Sequence, residues 1–215
     1  EIIACIDLPK PTYRHETYKD YKAGRKPTDN ELKDQLKRCH DVFAAFGIPV
    51  IGEEGYEADD LLGTLAEELK QDPTTEVIIA SGDMDTLQLV DTKQVRVYTL
   101  RKGLKDMVLL DHAAVIEKHG FEPQYVADYK GLRGDPSDNI PGVKGVGDKT
   151  ATELIKQYGS LENIYAQLDK NSDEMIADGF KKRVVGLLQD DRDSAEFSKM
   201  LATIKCDVPT KFTFP

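Results

Sequence analysis

Hydrophobic positions in this chain recur with two different periods, and the switches between them divide it into elements. Short apolar runs rich in β-branched residues, EIIACID at 1–7 and EVIIAS at 76–81, predict buried strands, and VRVYTL at 95–100 alternates as a third. MVLL at 107–110 is placed to pair with that third strand across an RKGLKD turn. Between the strands the apolar spacing lengthens to three and four. Leu32, Leu36, Cys39, Phe43 and Phe46 form one helical stripe, and Thr28 and Glu31 ahead of it have capping-box spacing. Leu61, Leu62, Leu65 and Leu69 form another, in a helix that Asp72-Pro73 ends.

Alternation of strand and helix predicts an α/β fold with a mainly parallel sheet. From about residue 112 the pattern changes to short helices with Gly-rich connections: AAVIEKHG, TATELIKQYG, SLENIYAQL and further segments through the 180s to 200s. PTKFTFP reads as an extended tail. The expected organisation is an α/β unit at 1–120 and an all-α region at 121–215.

At 215 residues, with 40% hydrophobic and 32% charged content, the chain is long enough for one large domain or two small ones and has the composition of a globular protein. No stretch is apolar enough to span a membrane. Cys5, Cys39 and Cys206 lie far apart without metal-ligand spacing, which predicts buried free thiols in a reducing compartment, and the opening has no secretory leader. The expected location is cytoplasmic, and a monomer is expected.

A net charge of −10 argues against a nucleic-acid partner until its distribution is followed. Between Lys10 and Lys26, six Lys or Arg stand against two acids. In this strip Tyr13, Tyr18 and Tyr21 interleave with Arg14, Lys19, Lys22 and Arg25, a mixture of stacking faces and cations that suits single-stranded nucleic acid. A solvated amphipathic helix would carry the same residues.

The acids are grouped. GYEADD places Glu57, Asp59 and Asp60 at a helix start, where the macrodipole alone favours negative charge. Asp83 and Asp85 follow the central strand, Asp7 follows the opening one, and Asp135 and Asp138 lie in GDPSDN, a sequence an ordinary Asx turn would also use. Ligands collect at the carboxyl ends of strands in α/β sheets. Four acidic motifs at strand ends, helix starts and turns favour a hard cation with oxygen ligands, magnesium or manganese, because His15, His40, His112 and His119 show no paired spacing with them. Two such ions about 3.5–4 Å apart support in-line hydrolysis of a phosphodiester.

In IPGVKGVGDKTATELI, Gly142, Gly145 and Gly147 precede a helix whose first turn holds Lys149 and Thr150. Backbone N–H groups and the helix dipole would there bind phosphate without reading bases. A plain helix–helix connection is the alternative.

Taken in order, TYRHETYKDYKAGR, GYEADD, SGDMDTLQL and GDPSDNIPGVKGVGDKTA resemble the 5′-nuclease domains of bacterial DNA polymerases I, members of the flap endonuclease family. The resemblance covers nearly the whole chain. It implies a resolvase-like or PIN-like nuclease core with a helical arch, a helix-hairpin-helix that grips duplex DNA, and metal-dependent cleavage of 5′ ends, flaps and RNA primers in replication and repair. By matched position it implies metal ligands at Asp7, Glu57, Asp59, Asp60, Asp83, Asp85, Asp135 and Asp138. Lys22 and Arg25 would face the scissile phosphate, Tyr21 would stack on a displaced base, and the arch would occupy roughly residues 13 to 30. Arg14, Gly142, Lys144, Gly145, Gly147, Lys149 and Thr150 would contact DNA, with a potassium ion on the hairpin carbonyls. A polymerase, in the same or another chain, is the implied partner.

One departure stands out. The family begins with an earlier strand ending in a metal-binding Asp, whereas EIIACID matches its second strand. Either the sequence is partial, or the strand is absent and a catalytically impaired module that binds branched DNA is the alternative function. A small RNA-cleaving PIN-type nuclease would share the acids but give no reason for the hairpin.

Overall fold

The structure is a computed structural model and describes residues 1–101 and 105–212. It divides into two compact units, Glu1–Gln71 with Lys205–Pro215, and Asp72–Ile204. These units do not divide at residue 120, the boundary expected from the sequence.

In the first unit, β1 (Ala4–Cys5) pairs in parallel with β2 (Val50–Ile51), an element the sequence reading missed. Two residues of IPVIG are too short to show a period. The strip after β1 holds a five-residue helix, α1 (Tyr13–Thr17), followed by turns, so residues 13 to 30 do not form one helical arch. The next helix is α2 (Asn30–Ala45), whose N-cap is Asp29; the capping box expected from Thr28 and Glu31 is not formed. Its apolar stripe is not buried either: Leu32, Leu36, Cys39 and Phe46 are all exposed. Cys39 therefore departs from the expectation of buried thiols, while the half-buried Cys5 and Cys206 fit it better, burial pushing both up to about 11. Helix α3 (Ala58–Leu69) buries Leu61 and Leu65 as its periodicity requires.

In the second unit, β3 (Val77–Ala80) pairs in parallel with β4 (Val95–Leu100), and β4 pairs antiparallel with β5 (Met107–Leu110). The alternation of VRVYTL is realised: Val95, Val97 and Thr99 are buried while Tyr98 and Leu100 are exposed. Part of the intervening turn, residues 102–104, lies outside the described residues, as does 213–215 of the expected tail. The expected parallel character holds, but as two small sheets, one in each unit.

Six helices follow: α4 (His112–His119), α5 (Val126–Arg133), α6 (Asp148–Tyr158), α7 (Leu161–Ala177), α8 (Lys182–Asp190) and α9 (Arg192–Ala202). Asp111 caps α4 by accepting the Ala114 N–H, and Gly120 ends it at φ 79°. The core of this region is Leu132, Leu154, Ile155, Leu161, Ile164, Leu188 and Leu201. Helices α5 and α9 touch at Gly131, where a Cβ would lie 2.9 Å from the Lys199 Cβ and 3.0 Å from the Ala195 carbonyl oxygen. Among the described residues no helix is long and apolar enough to cross a membrane.

Candidate active site

The first unit gathers its acids around α1 and the start of α3. Asp60 is fully buried, and both its oxygens are engaged twice. Arg14 donates to each of them at 2.8 Å, the Lys205 N–H adds a bond to Oδ1 at 2.9 Å, and the Glu57 N–H adds one to Oδ2 at 3.0 Å. Burial opposes the charge on Arg14, but the bonds to Asp60 and its charge outweigh that, holding the guanidinium above its ordinary value. Glu57 accepts from Arg14 at 3.2 Å, from the Tyr21 hydroxyl at 3.1 Å and from Lys22 at 2.6 Å. Asp7, after β1, is exposed and accepts the Ala58 N–H at 2.7 Å. Asp59 is half-buried beside them.

This arrangement removes Arg14 and Tyr21 from the basic strip as an accessible surface, while Lys19 and Arg25 stay exposed. Arg14 is 3% exposed and Tyr21 is 4% exposed. Arg14 is an internal counter-ion rather than a DNA contact, and the Tyr21 ring presents no face on which a base could stack. Lys22 has a positive φ of 58° and turns its ammonium onto Glu57, whereas Arg25 lies on the exposed side of the turn.

In the second unit, β3 delivers Asp83 and Asp85 to the start of a short 3-10 turn, and Asp83 Oδ1 caps it by accepting the Asp85 N–H at 2.9 Å. The GDPSDNI loop is pinched shut by two backbone bonds of 2.9 Å between Asp135 and Ile140. Within it, Asp135 Oδ1 accepts the N–H and hydroxyl of Ser137. Lys130, one turn before the loop on α5, places its ammonium against both Asp85 and Asp135. Its role had no signal in the sequence beyond its position five residues before Asp135. Burial works against its charge, and the two carboxylates more than offset it, so Lys130 is held above its ordinary value. Burial pushes Asp85 up to about 6 despite that lysine, with Asp83 and Asp135 adding repulsion. Asp135 is held down to about 2, because Lys130 and Ser137 outweigh its own burial. Asp83 is exposed and Asp138 is 5% exposed.

The Gly-rich hairpin is partly structural. Gly142 is buried, donates its N–H to the Ser198 hydroxyl at 2.9 Å and accepts the Ser194 hydroxyl at 2.7 Å, so its amide is already engaged within the chain. A Cβ there would lie 2.2 Å from the Gly134 nitrogen, which is what demands glycine. Lys144 gives its N–H to Asp191. The exposed edge is made by Lys144, Gly145, Gly147 and Lys149, with Thr150 half-buried behind it.

Among the described residues no group of three or more His, Cys, Asp or Glu side chains is arranged to hold a metal ion. Asp85 and Asp135 nevertheless converge on a single positive charge, the Lys130 ammonium, which shows that a cation suits the point between them. Magnesium is commonly bound through one or two carboxylates with water and substrate phosphate completing its shell, and these donors fit that chemistry.

Comparison with known proteins gives the wider frame. Residues 1–120 match the family model described as 5′-3′ exonuclease, N-terminal resolvase-like domain, and residues 121–215 match 5′-3′ exonuclease, C-terminal SAM fold. The DNA polymerase I of Bacillus caldotenax is 39% identical over 212 residues, 99% of this chain and 23% of that one. That of Bacillus subtilis is 41% identical over 208 residues, 97% of this chain and 22% of that one. The chain thus spans under a quarter of the length of these curated relatives. The flap endonuclease of bacteriophage T5, solved as a pseudo-enzyme–product complex with DNA and metal ions, superposes with a TM-score of 0.72 at 23% identity, covering 91% of this chain and 71% of that one. The arrangement of an acid-rich resolvase-like region before a helical region of SAM fold is matched by family models from one end to the other, and the chain belongs to the 5′-3′ exonuclease family of nucleases.

Proposed function

We propose that this chain is a divalent-metal-dependent 5′-nuclease that hydrolyses phosphodiesters at the 5′ ends and 5′ flaps of duplex DNA, and at RNA primers, in replication and repair. The observation that carries the reading is the convergence of Asp85 and Asp135 on one cation, beside the exposed Asp83 that follows β3, a strand in which only Ile79 is buried. When bound there, magnesium or manganese would supply a positive charge for the phosphate and a water made acidic enough to attack it. Asp83, Asp85, Asp135 and Asp138 are the proposed ligands in the second unit; Asp7, Glu57 and Asp59 are proposed from the first. Asp60 serves more as the anchor of Arg14. The exposed edge of Lys144, Gly145, Gly147 and Lys149 would track phosphates of the uncut duplex, in keeping with the DNA in the T5 complex. On this reading residues 1–120 are the nuclease core, completed by Asp135 and Asp138 from 121–215, the region that also grips the duplex, and the chain acts beside a polymerase like those to which its relatives belong.

Incubating the chain with an end-labelled 5′-flap duplex, in magnesium and in EDTA, tests this. Magnesium-dependent cutting that is lost in Asp83→Asn/Asp85→Asn, with duplex binding kept, is the expected result. Cutting that survives the double substitution overturns the ligand assignment.

The carboxylates are held by the chain's own cations, and this favours a second reading, a module that binds branched DNA without cutting it. Binding without cutting in either metal would establish that reading instead.

A further inference from the structure

The second unit contains an open cleft of about 400 Å³ between the Gly82–Asp85 loop and helix α5. That is within the size range of small-molecule sites, roughly 300–1,000 Å³. Its two ends differ in chemistry. One end is the acidic pair with Lys130 and Ser137, already described. The other is a wall of rings: Phe121 and Tyr129 have centroids 5.2 Å apart at 33°, His119 lies 5.9 Å from Phe121, and the Arg133 guanidinium lies 5.9 Å over Tyr129.

Three features set this wall apart from ordinary core. Phe121 is buried, but Tyr129 is only partly so, and its ring borders the open cleft. Its hydroxyl is tied to Asp148, which also holds Arg133 at 3.3 Å, so ring and guanidinium are fixed in place before any ligand arrives. The His119 Nε2 is buried without a hydrogen-bond partner among the described residues, and burial together with Lys118 holds this ring below its ordinary value. A flat π-surface with a cation beside it suits a heteroaromatic base, and the cation-binding end suits the phosphate attached to it.

We infer that this cleft is a nucleotide-binding site, in which the base stacks on Tyr129 against Phe121 while its phosphate lies toward Asp85, Asp135 and Lys130. The inference rests on the nuclease reading for its substrate: the nucleotide is one adjoining the linkage that is cut. It adds a stacking platform in the second unit, whereas the tyrosines of the basic strip lie in the first.

The test uses 2-aminopurine, whose fluorescence falls on stacking and is read cleanly because the chain has no tryptophan. It is placed on either side of the flap junction in a duplex whose junction linkages are cleavage-resistant phosphorothioates, which keep the negative charge. With magnesium, saturating wild-type chain should remove most of the emission at one of the two positions. Tyr129→Leu should abolish that loss with binding of the duplex, followed by anisotropy, retained. Tyr129→Phe should keep it, because the ring remains while only the bond to Asp148 is gone. Quenching at neither position, or equal quenching by Tyr129→Leu, overturns the inference. A parallel arm with free 2-aminopurine deoxyriboside monophosphate separates the two sources of the ligand: quenching there as well makes the cleft a mononucleotide site, and quenching of the duplex alone ties it to a strand. Cleavage of the all-phosphodiester duplex is scored alongside. Cutting without quenching removes the cleft assignment only, and quenching without cutting removes the nuclease reading while leaving a nucleotide site.

Discussion

Around Asp60 a carboxylate is closed off on every side, while around Asp85 and Asp135 two carboxylates share one lysine at the edge of an open cleft. Both arrangements solve the same problem, since like charges brought together by the fold need a positive charge between them. Arg14 solves it with a rigid fork that meets both oxygens of Asp60 at 2.8 Å. Lys130 solves it with a point charge on a flexible stem, at side chains 11–15% exposed. A fork inside a dry site holds structure. A point charge at a wet edge can be exchanged for another, which is the property a metal or substrate site requires.

The sharpest break in that comparison is Arg14→Ala. It leaves a carboxylate with no exposed surface without its partner, and the expected loss is about 3–5 kcal/mol in urea unfolding. Arg14→Lys should recover little, because an ammonium cannot make both bonds. A loss below about 1 kcal/mol would mean that Asp60 is far less dependent on Arg14 than the geometry requires.

Lys130→Met should cost less, about 1–3 kcal/mol at pH 7.5. The two carboxylates it leaves behind can share a proton, as Asp85 already titrates near 6, so the deficit should shrink when the unfolding is repeated at pH 5.5. The Arg14→Ala deficit serves as the comparison. Equal losses for the two variants would make both clusters structural.

How much of this was visible in the sequence follows from the range of the interactions. Asp7, Glu57, Asp83 and Asp135 could be placed at strand ends, helix starts and turns because those positions depend on neighbours a few residues away. Helix α3 and strand β4 were legible for the same reason, their buried positions following the apolar period. The counter-ions were not legible. Arg14 reaches Asp60 across 46 positions, and in the sequence it stands among other cations and tyrosines that suggested a surface. The cap of α2 failed at shorter range: Thr28 and Asp29 are both good caps, and spacing to Glu31 favoured the wrong one.

Titration sharpens the comparison further. The folded pKa of Asp85, about 6, lies above its ordinary 3.8, so its contribution to stability is fully present below about 4 and is lost as pH rises through 6. Asp135, at about 2, behaves in the opposite sense: its contribution is present above about 4 and is lost as pH falls toward 2. Asp85→Asn should therefore flatten the stability profile between pH 4 and 6, by an amount on the order of 1–2 kcal/mol, and leave the acid limb in place. Manganese affinity gives a second readout. Because a protonated Asp85 must lose its proton to bind, affinity should fall up to about tenfold per pH unit below 6 in the wild type. A flat profile in both measurements would place Asp85 outside the cation site.

The smallest expected effect concerns Tyr21, the residue whose reading changed most between sequence and structure. Its hydroxyl donates to Glu57 at 3.1 Å and its ring is 4% exposed, against the stacking role the basic strip suggested. Tyr21→Phe keeps the ring and removes that bond, so it should lower stability by about 0.5–1.5 kcal/mol. A stacking residue would show the reverse, with stability unchanged and single-strand affinity insensitive to the hydroxyl. Because Glu57 also holds Lys22 at 2.6 Å, loosening it should raise the mobility of that lysine, read as faster acetylation of Lys22 by a dilute acylating reagent. Unchanged stability together with an unchanged acetylation rate would mean that Tyr21 and Glu57 do not form one network. The closed character of the first cluster would then rest on Asp60, with Arg14 and the Lys205 and Glu57 N–H groups around it.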